Sequence, residues 1–149
     1  MKRPRWIDKA FRLEEINGRD RCPTYLYRWT LLKVGAYSLY VHHFVGDDWS
    51  LDLHDHPKRF ISIGLKGWYV ETTPCPDCAQ NHRRVYRAPW IRTFPAEHRH
   101  RIQTPSGSCW TLVITLKSTR GWGFWHLGKF IPWRTYVESE TADSRKACQ

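Results

Sequence analysis

The chain reads as short apolar and aromatic segments separated by Gly, Pro, Asp and Ser. Segments 25–34 (YLYRWTLLKV), 37–45 (YSLYVHHFV), 52–56 (DLHDH), 59–65 (RFISIGL), 68–73 (WYVETT), 85–94 (VYRAPWIRTF), 98–103 (HRHRIQ), 110–116 (WTLVITL) and 129–136 (KFIPWRTY) are rich in branched and aromatic residues. That texture predicts strands. Many short strands at such spacing predict an antiparallel sandwich or barrel. Two stretches read differently. Asp8–Ile16 (DKAFRLEEI) predicts a short N-terminal helix, capped by Asp8 and stopped at Asn17-Gly18. Residues 138–149 (ESETADSRKACQ) offer almost nothing to bury and are expected to form a flexible tail. Neither a repeat nor a linker divides residues 1–137, so a single domain is expected there.

Alternation also sorts the histidines. In LDLHDHPKRF, His54 and His56 project to one face of a strand while Asp55 projects to the other. In FPAEHRHRIQ, His98, His100 and Ile102 share a face, and Glu97, Arg99, Arg101 and Gln103 form a wholly polar opposite face. Both histidines of this second pair are thus expected to point inward. A buried imidazole must find a partner for each ring nitrogen, and converging imidazoles satisfy that need by binding a transition metal. Glu97, turned outward by the same parity, is not expected to be a ligand. Of His42 and His43 on the preceding strand, one must face inward. It is either satisfied by neighbouring groups or serves as a donor or base near the metal.

These residues resemble the cupin superfamily, whose first motif can be written H-x-H-x3–4-E-x6-G. Here His54-Asp55-His56 is followed at the same spacing by Phe60, in place of the glutamate, and by Gly67. The second motif, G-x5-P-x-G-x2-H, is matched by Pro95 and His100, with Pro89 and Glu97 in place of its glycines. The resemblance spans about residues 37–116. HDHP, ISIGLKGWYVE, PAEHRHRI, WTLVITL and WGFW are also similar to small bacterial and phage cupins labelled cysteine dioxygenase-like. The resemblance implies an all-β jelly-roll fold, a double-stranded β-barrel, with one divalent metal ion on His54, His56 and His100. It further implies a non-haem dioxygenase of the three-histidine type, with Fe(II) as the ion and Zn, Ni or Mn as alternatives. A non-catalytic cupin that binds an anionic metabolite or nucleic acid is the other reading.

Around such a centre, His98, His42 and Ser62 are the candidates for a catalytic part. If Phe60 keeps the inward direction of the lost glutamate, Ser62 and Gly64 share its face and leave room for a ligand. Phe60, Trp122 and Trp125 are candidate substrate contacts. Cys75-Pro76-Asp77-Cys78 with His82 resembles half of a zinc knuckle, in a loop whose Pro and Asp are also ordinary turn residues. Cys109 lies opposite the apolar face of its strand and is expected to be inert.

Bulk composition changes this picture little. The 149 residues are 41% hydrophobic and 26% charged, ordinary for a folded protein with its own core. No stretch approaches the roughly 18 apolar residues of a membrane helix, and the charged start lacks the apolar run of a secretory signal. Five cysteines, an odd number, favour reduced thiols without disulfides and a cytoplasmic location. The net charge of +10, spread along the chain, predicts at most weak, salt-sensitive nucleic-acid binding without sequence preference. The expected partner is a small-molecule substrate, in a monomer or homodimer.

Overall fold

Branched and aromatic residues at alternate positions build eleven strands and leave only two short helices among the described residues. The computed structural model describes residues 12–17 and 22–146. In chain order the strands are β1 (Arg12–Asn17), β2 (Thr24–Val34), β3 (Tyr37–Phe44), β4 (Leu53–His54), β5 (Lys58–Thr73), β6 (His82–Arg87), β7 (Trp90–Phe94), β8 (Arg101–Gln103), β9 (Cys109–Ser118), β10 (Gly123–His126) and β11 (Lys129–Pro132). Helices α1 (Trp133–Val137) and α2 (Glu140–Ser144) close the chain. One sheet runs β1-β2-β3-β9-β5-β6, with β7 and β8 also on β5, and a smaller one runs β11-β10-β4. Every pairing is antiparallel. The fold is an all-β barrel of the jelly-roll type.

β5 organises the barrel. It is one strand of 16 residues where the sequence suggests two. Its first half pairs with β7 and β9, and its second half with β6 and β8. The register against β9 slips between Gly64 and Lys66, which places Leu65 in solvent and reverses the inward parity. Upstream of the slip Phe60 and Ser62 face the interior, and downstream Tyr69 and Glu71 do. Two glycines permit the kink. Trp90 lies directly over Gly64, where a side chain would collide with its ring. Gly67 has φ +84 and sits against the Ser108 carbonyl.

Three expectations are corrected. Arg12–Ile16 belongs to strand β1, paired with β2 through Leu13↔Trp29 and Ile16↔Leu26, so the helix expected over Asp8–Ile16 does not form there. Backbone bonding to a sheet edge outweighs the helical preference of a segment this short; residues 8–11 of that helix lie outside the described residues. The segment 129–136 forms a strand only to Pro132 and then turns into α1. The segment 138–149 is not a free tail within its described part. Ser139 caps α2 by accepting from the Ala142 amide, and Ala142 is fully buried with Phe124 and Tyr136. Arg145 Nε donates to Asp52 Oδ1 at 3.1 Å, and the Leu51 amide donates to the Arg145 carbonyl at 2.8 Å. A single alanine and polar anchors suffice to dock it, which a hydrophobicity count does not detect.

This docking predicts that truncation after Glu138 lowers the thermal midpoint by about 4 °C or more, on the order of 1–2 kcal/mol for a chain this size. Differential scanning calorimetry checks it; an unchanged midpoint would show that the contacts carry no net stability.

Candidate metal centre

The end of β4 with the turn that follows it, and the turn before β8, meet at the barrel interior and carry the histidines. The amides of His54 and His100 each donate to the other's carbonyl at 2.9 Å, and the His56 amide donates to the Ala96 carbonyl at 3.0 Å. Asp55, wholly buried, points away from the two imidazoles and anchors the turn. Its carboxylate accepts from Arg120 at 2.7 Å, from the Gly123 amide at 2.9 Å and from Trp125 Nε1 at 3.1 Å. A carboxylate buried with three donors fixes the backbone between the two histidines.

His54, His56 and His100 converge, with one ring nitrogen of each lying within 4.8 Å of the others. Nε2 of His56 and Nε2 of His100 are 2.9 Å apart. Adjacent ligands on an octahedral ion with metal–nitrogen bonds of about 2.1 Å stand roughly 3 Å apart, so this pair fits a single metal ion. Burial holds the pKa of all three imidazoles below the ordinary histidine value; in His100 the neighbouring Glu71 carboxylate partly opposes the effect. They are therefore neutral, the form a metal requires.

Glu71 is the residue that sequence reasoning missed. Its side chain is buried, yet Oε1 accepts from His100 Nδ1 at 2.7 Å and from His98 Nε2 at 2.9 Å, while Oε2 accepts from Arg92 at 2.6 Å. Burial alone would raise its pKa, but these hydrogen bonds pull it well below the usual carboxylate range. An ionised Glu71 fixes the His100 proton on Nδ1 and leaves the Nε2 lone pair facing His56. Constant alternation along 59–73 sets Glu71 opposite Phe60; only the slip at Gly64–Lys66 brings it inside. The two glycines were the available signal.

The histidines open onto a cavity of about 440 Å³. Phe60 stacks on Phe94 with ring centroids 4.6 Å apart and meets the His56 ring edge-on at 4.8 Å. His42 and Ser62 line the cavity, as does Trp122. His42 Nε2 accepts from Arg28 Nε at 3.1 Å, whereas His43 faces the other side, stacked on Trp110 with centroids 3.9 Å apart. The hydroxyls of Thr111 and Thr115, also on the cavity wall, are buried with no hydrogen-bond partner.

Other candidates are placed elsewhere. His98 sits behind His100 on Glu71 and is not part of the cavity wall. Trp125 likewise lies off the cavity, bonded to Asp55 and covered by Arg99 at 3.4 Å. Glu97 is exposed, but Arg101, expected on the same solvent face, is buried and donates to the Ser50 carbonyl at 2.8 Å. The strand begins only at Arg101, so parity does not carry through residues 97–100. Cys75, Cys78 and His82 cluster at a hairpin tip, within 4.8 Å of one another. The expectation of reduced thiols is corrected there: Cys75 and Cys78 are joined, and Cys22 is also disulfide-bonded, while Cys109 is free and buried among the described residues. Among the described residues, no helix is long and apolar enough to cross a membrane.

No family model matches the sequence, and no curated protein matches it. Solved structures do. The polyketide cyclase RemF from Streptomyces resistomycificus superposes over 97% of this chain and 98% of its own, at TM-score 0.59 and 17% identity. A cupin superfamily protein from Desulfitobacterium hafniense matches 70% of this chain and 99% of its own, at TM-score 0.50 and 16% identity. The chain has the cupin fold. FeII HppE in complex with substrate matches at TM-score 0.56 and 12% identity, over 73% of this chain and 57% of that chain. This chain thus spans little more than half the length of that protein.

Buried neutral His42 gives the pH dependence a sign. Burial first, and the Arg28 charge second, hold its pKa well below 6.5 in the folded state. The unfolded chain therefore takes up a proton that the folded one refuses, so this contribution to stability is complete above about pH 6.5 and is lost as pH falls. Below that value it amounts to at most about 1.4 kcal/mol per pH unit. In chelator-treated protein, the stability gap between wild type and His42→Gln is expected to narrow between about pH 7.5 and 5.5 in urea unfolding. A constant gap would show that His42 protonates equally in both states.

Proposed function

We propose that His54, His56 and His100 hold one divalent transition metal ion, and that the protein is a non-haem iron dioxygenase of the three-histidine type acting on a small molecule. The observation that carries this reading is the convergence of three neutral imidazoles, buried at His100 and half-buried at His54 and His56, on the wall of an aromatic-lined cavity. Such an ion, when bound, would supply a Lewis-acidic and redox-capable centre with open positions for substrate and O₂. The FeII in the HppE neighbour supports iron on this fold.

The chain's own groups have separable tasks. Glu71 orients His100 through Nδ1, and Asp55 holds the turn that presents His54 and His56. Phe60, where the family motif has glutamate, adds no negative charge and lines the cavity beside the His56 ring. His42, whose Nε2 accepts from Arg28, carries its proton on Nδ1 and is suited to donate to a bound molecule.

A second reading, a metal-dependent cyclase, is favoured by the near-complete overlap with RemF and by aromatic walls suited to a flat substrate. Oxygen uptake by iron-loaded protein with thiol or aromatic substrates tests the first reading. Turnover with zinc and without oxygen uptake would replace it by the second.

In protein with the Cys75–Cys78 disulfide intact, elemental analysis is expected to find one metal ion per chain, lost in His56→Ala and His100→Ala while circular dichroism stays unchanged. Metal retained by both variants would sink the assignment. Replacing Glu71 by Gln is expected to weaken metal affinity by roughly ten- to a hundredfold, read by competition with a chelator of known affinity. Unchanged affinity would limit Glu71 to a packing role.

A further inference from the structure

The β5–β6 hairpin closes with the pair Thr73↔His82, leaving residues 74–81 as its loop. This exceeds the two to five residues of an ordinary hairpin connection, and PCPDCAQN has almost no apolar side chain to hold it. What the loop has instead is ligand chemistry. The turn brings Cys75 and Cys78 to a Cα separation of 5.4 Å, and the opposite arm of the hairpin places His82 beside them. Both sulfurs and one ring nitrogen of His82 lie within 4.8 Å of one another, half-buried at Cys75 and exposed at the other two.

We propose that this loop is a redox-gated zinc site, in which reduced Cys75 and Cys78 with His82 bind Zn²⁺ and oxidation to the disulfide releases it. Two thiolates and one imidazole form a borderline-soft donor set that selects zinc, and the exposed fourth position takes water. Zinc and the disulfide require the same two sulfurs, so only one state exists at a time. A thiol reductant opens the disulfide, giving two protein thiols and an oxidised reductant; zinc binding then expels two protons. Peroxide reverses the change. The two thiolates lose two electrons and form the S–S bond, peroxide with two protons becomes two waters, and the zinc ion departs. The site shares no residue with the three barrel histidines and does not depend on their metal.

Cobalt(II) is the probe, because its thiolate charge-transfer absorption reports sulfur ligands and ignores an all-histidine centre. Full-length protein reduced with a phosphine is expected to show this absorption, and zinc to remove it by displacement. Protein left oxidised and the C78S variant are expected to lack it, and His82→Ala to bind zinc at least ~10-fold more weakly. Peroxide added to the zinc form should release one zinc ion per chain to a chromogenic chelator as the Cys75 and Cys78 thiols, followed by alkylation and peptide mapping, disappear. Absence of the absorption in reduced wild type in which Cys75 and Cys78 are both alkylatable would overturn the proposal. So would its persistence in C78S, which would place the sulfur ligands elsewhere.

Discussion

A carboxylate taken out of water has to be either protonated or surrounded by donors, and Glu71 is surrounded. Its donors come from separate parts of the chain: Arg92 from β7, and His98 and His100 from the turn before β8. That requirement ties both segments to the second half of β5. Arg92 in turn donates to the Tyr69 hydroxyl at 2.8 Å and lies over the rings of Tyr86 and Phe94, so the cation is held by aromatic faces as well as by its counter-ion. Orientation of His100 follows from the same pairing. Removing one member would strand the others as buried unpaired groups, which makes the network cooperative.

The sequence makes legible whatever depends on short-range alternation. His54 and His56 lie either side of Asp55, and reading them as same-face residues required only the period of a strand. The spacing from His56 to Phe60 and Gly67 then pointed to the barrel. Phe60 and Ser62 lie upstream of the slip, where constant parity holds. Glu71 lies beyond it, so the same rule gives the wrong face. Tertiary pairing decided the N-terminal segment too, since Arg12–Ile16 has helical propensity but meets the open edge of β2.

A different limit applies at the C-terminus. Ala142 and Arg145 are a small residue and a cation in a polar stretch, and neither signals docking. Their partners are Phe124, Tyr136 and Asp52, distant in sequence. Asp52 accepts from Tyr136 at 2.7 Å and from Arg145, with His126 Nδ1 at 3.0 Å, so one carboxylate gathers three segments. Such a hub is recognised only once the chain has been folded around it.

Charge placement links the fold to the chemistry proposed for it. A carboxylate among the ligands would cancel part of an ion's positive charge; Phe60 stands at that motif position and contributes none. The negative charge nearest the histidine cluster through hydrogen bonds is instead on Glu71, on the far side of His100. From there it polarises the imidazole and raises the basicity of Nε2 without occupying a coordination position. The slip in β5 is what allows both arrangements on one strand: an apolar ring facing the cavity at Phe60 and an ionised group behind the cluster at Glu71. Straightening that strand would turn Glu71 to the outer face and leave His100 with no anion to fix its tautomer. The geometry of a backbone bulge thus sets the electrostatics of the site.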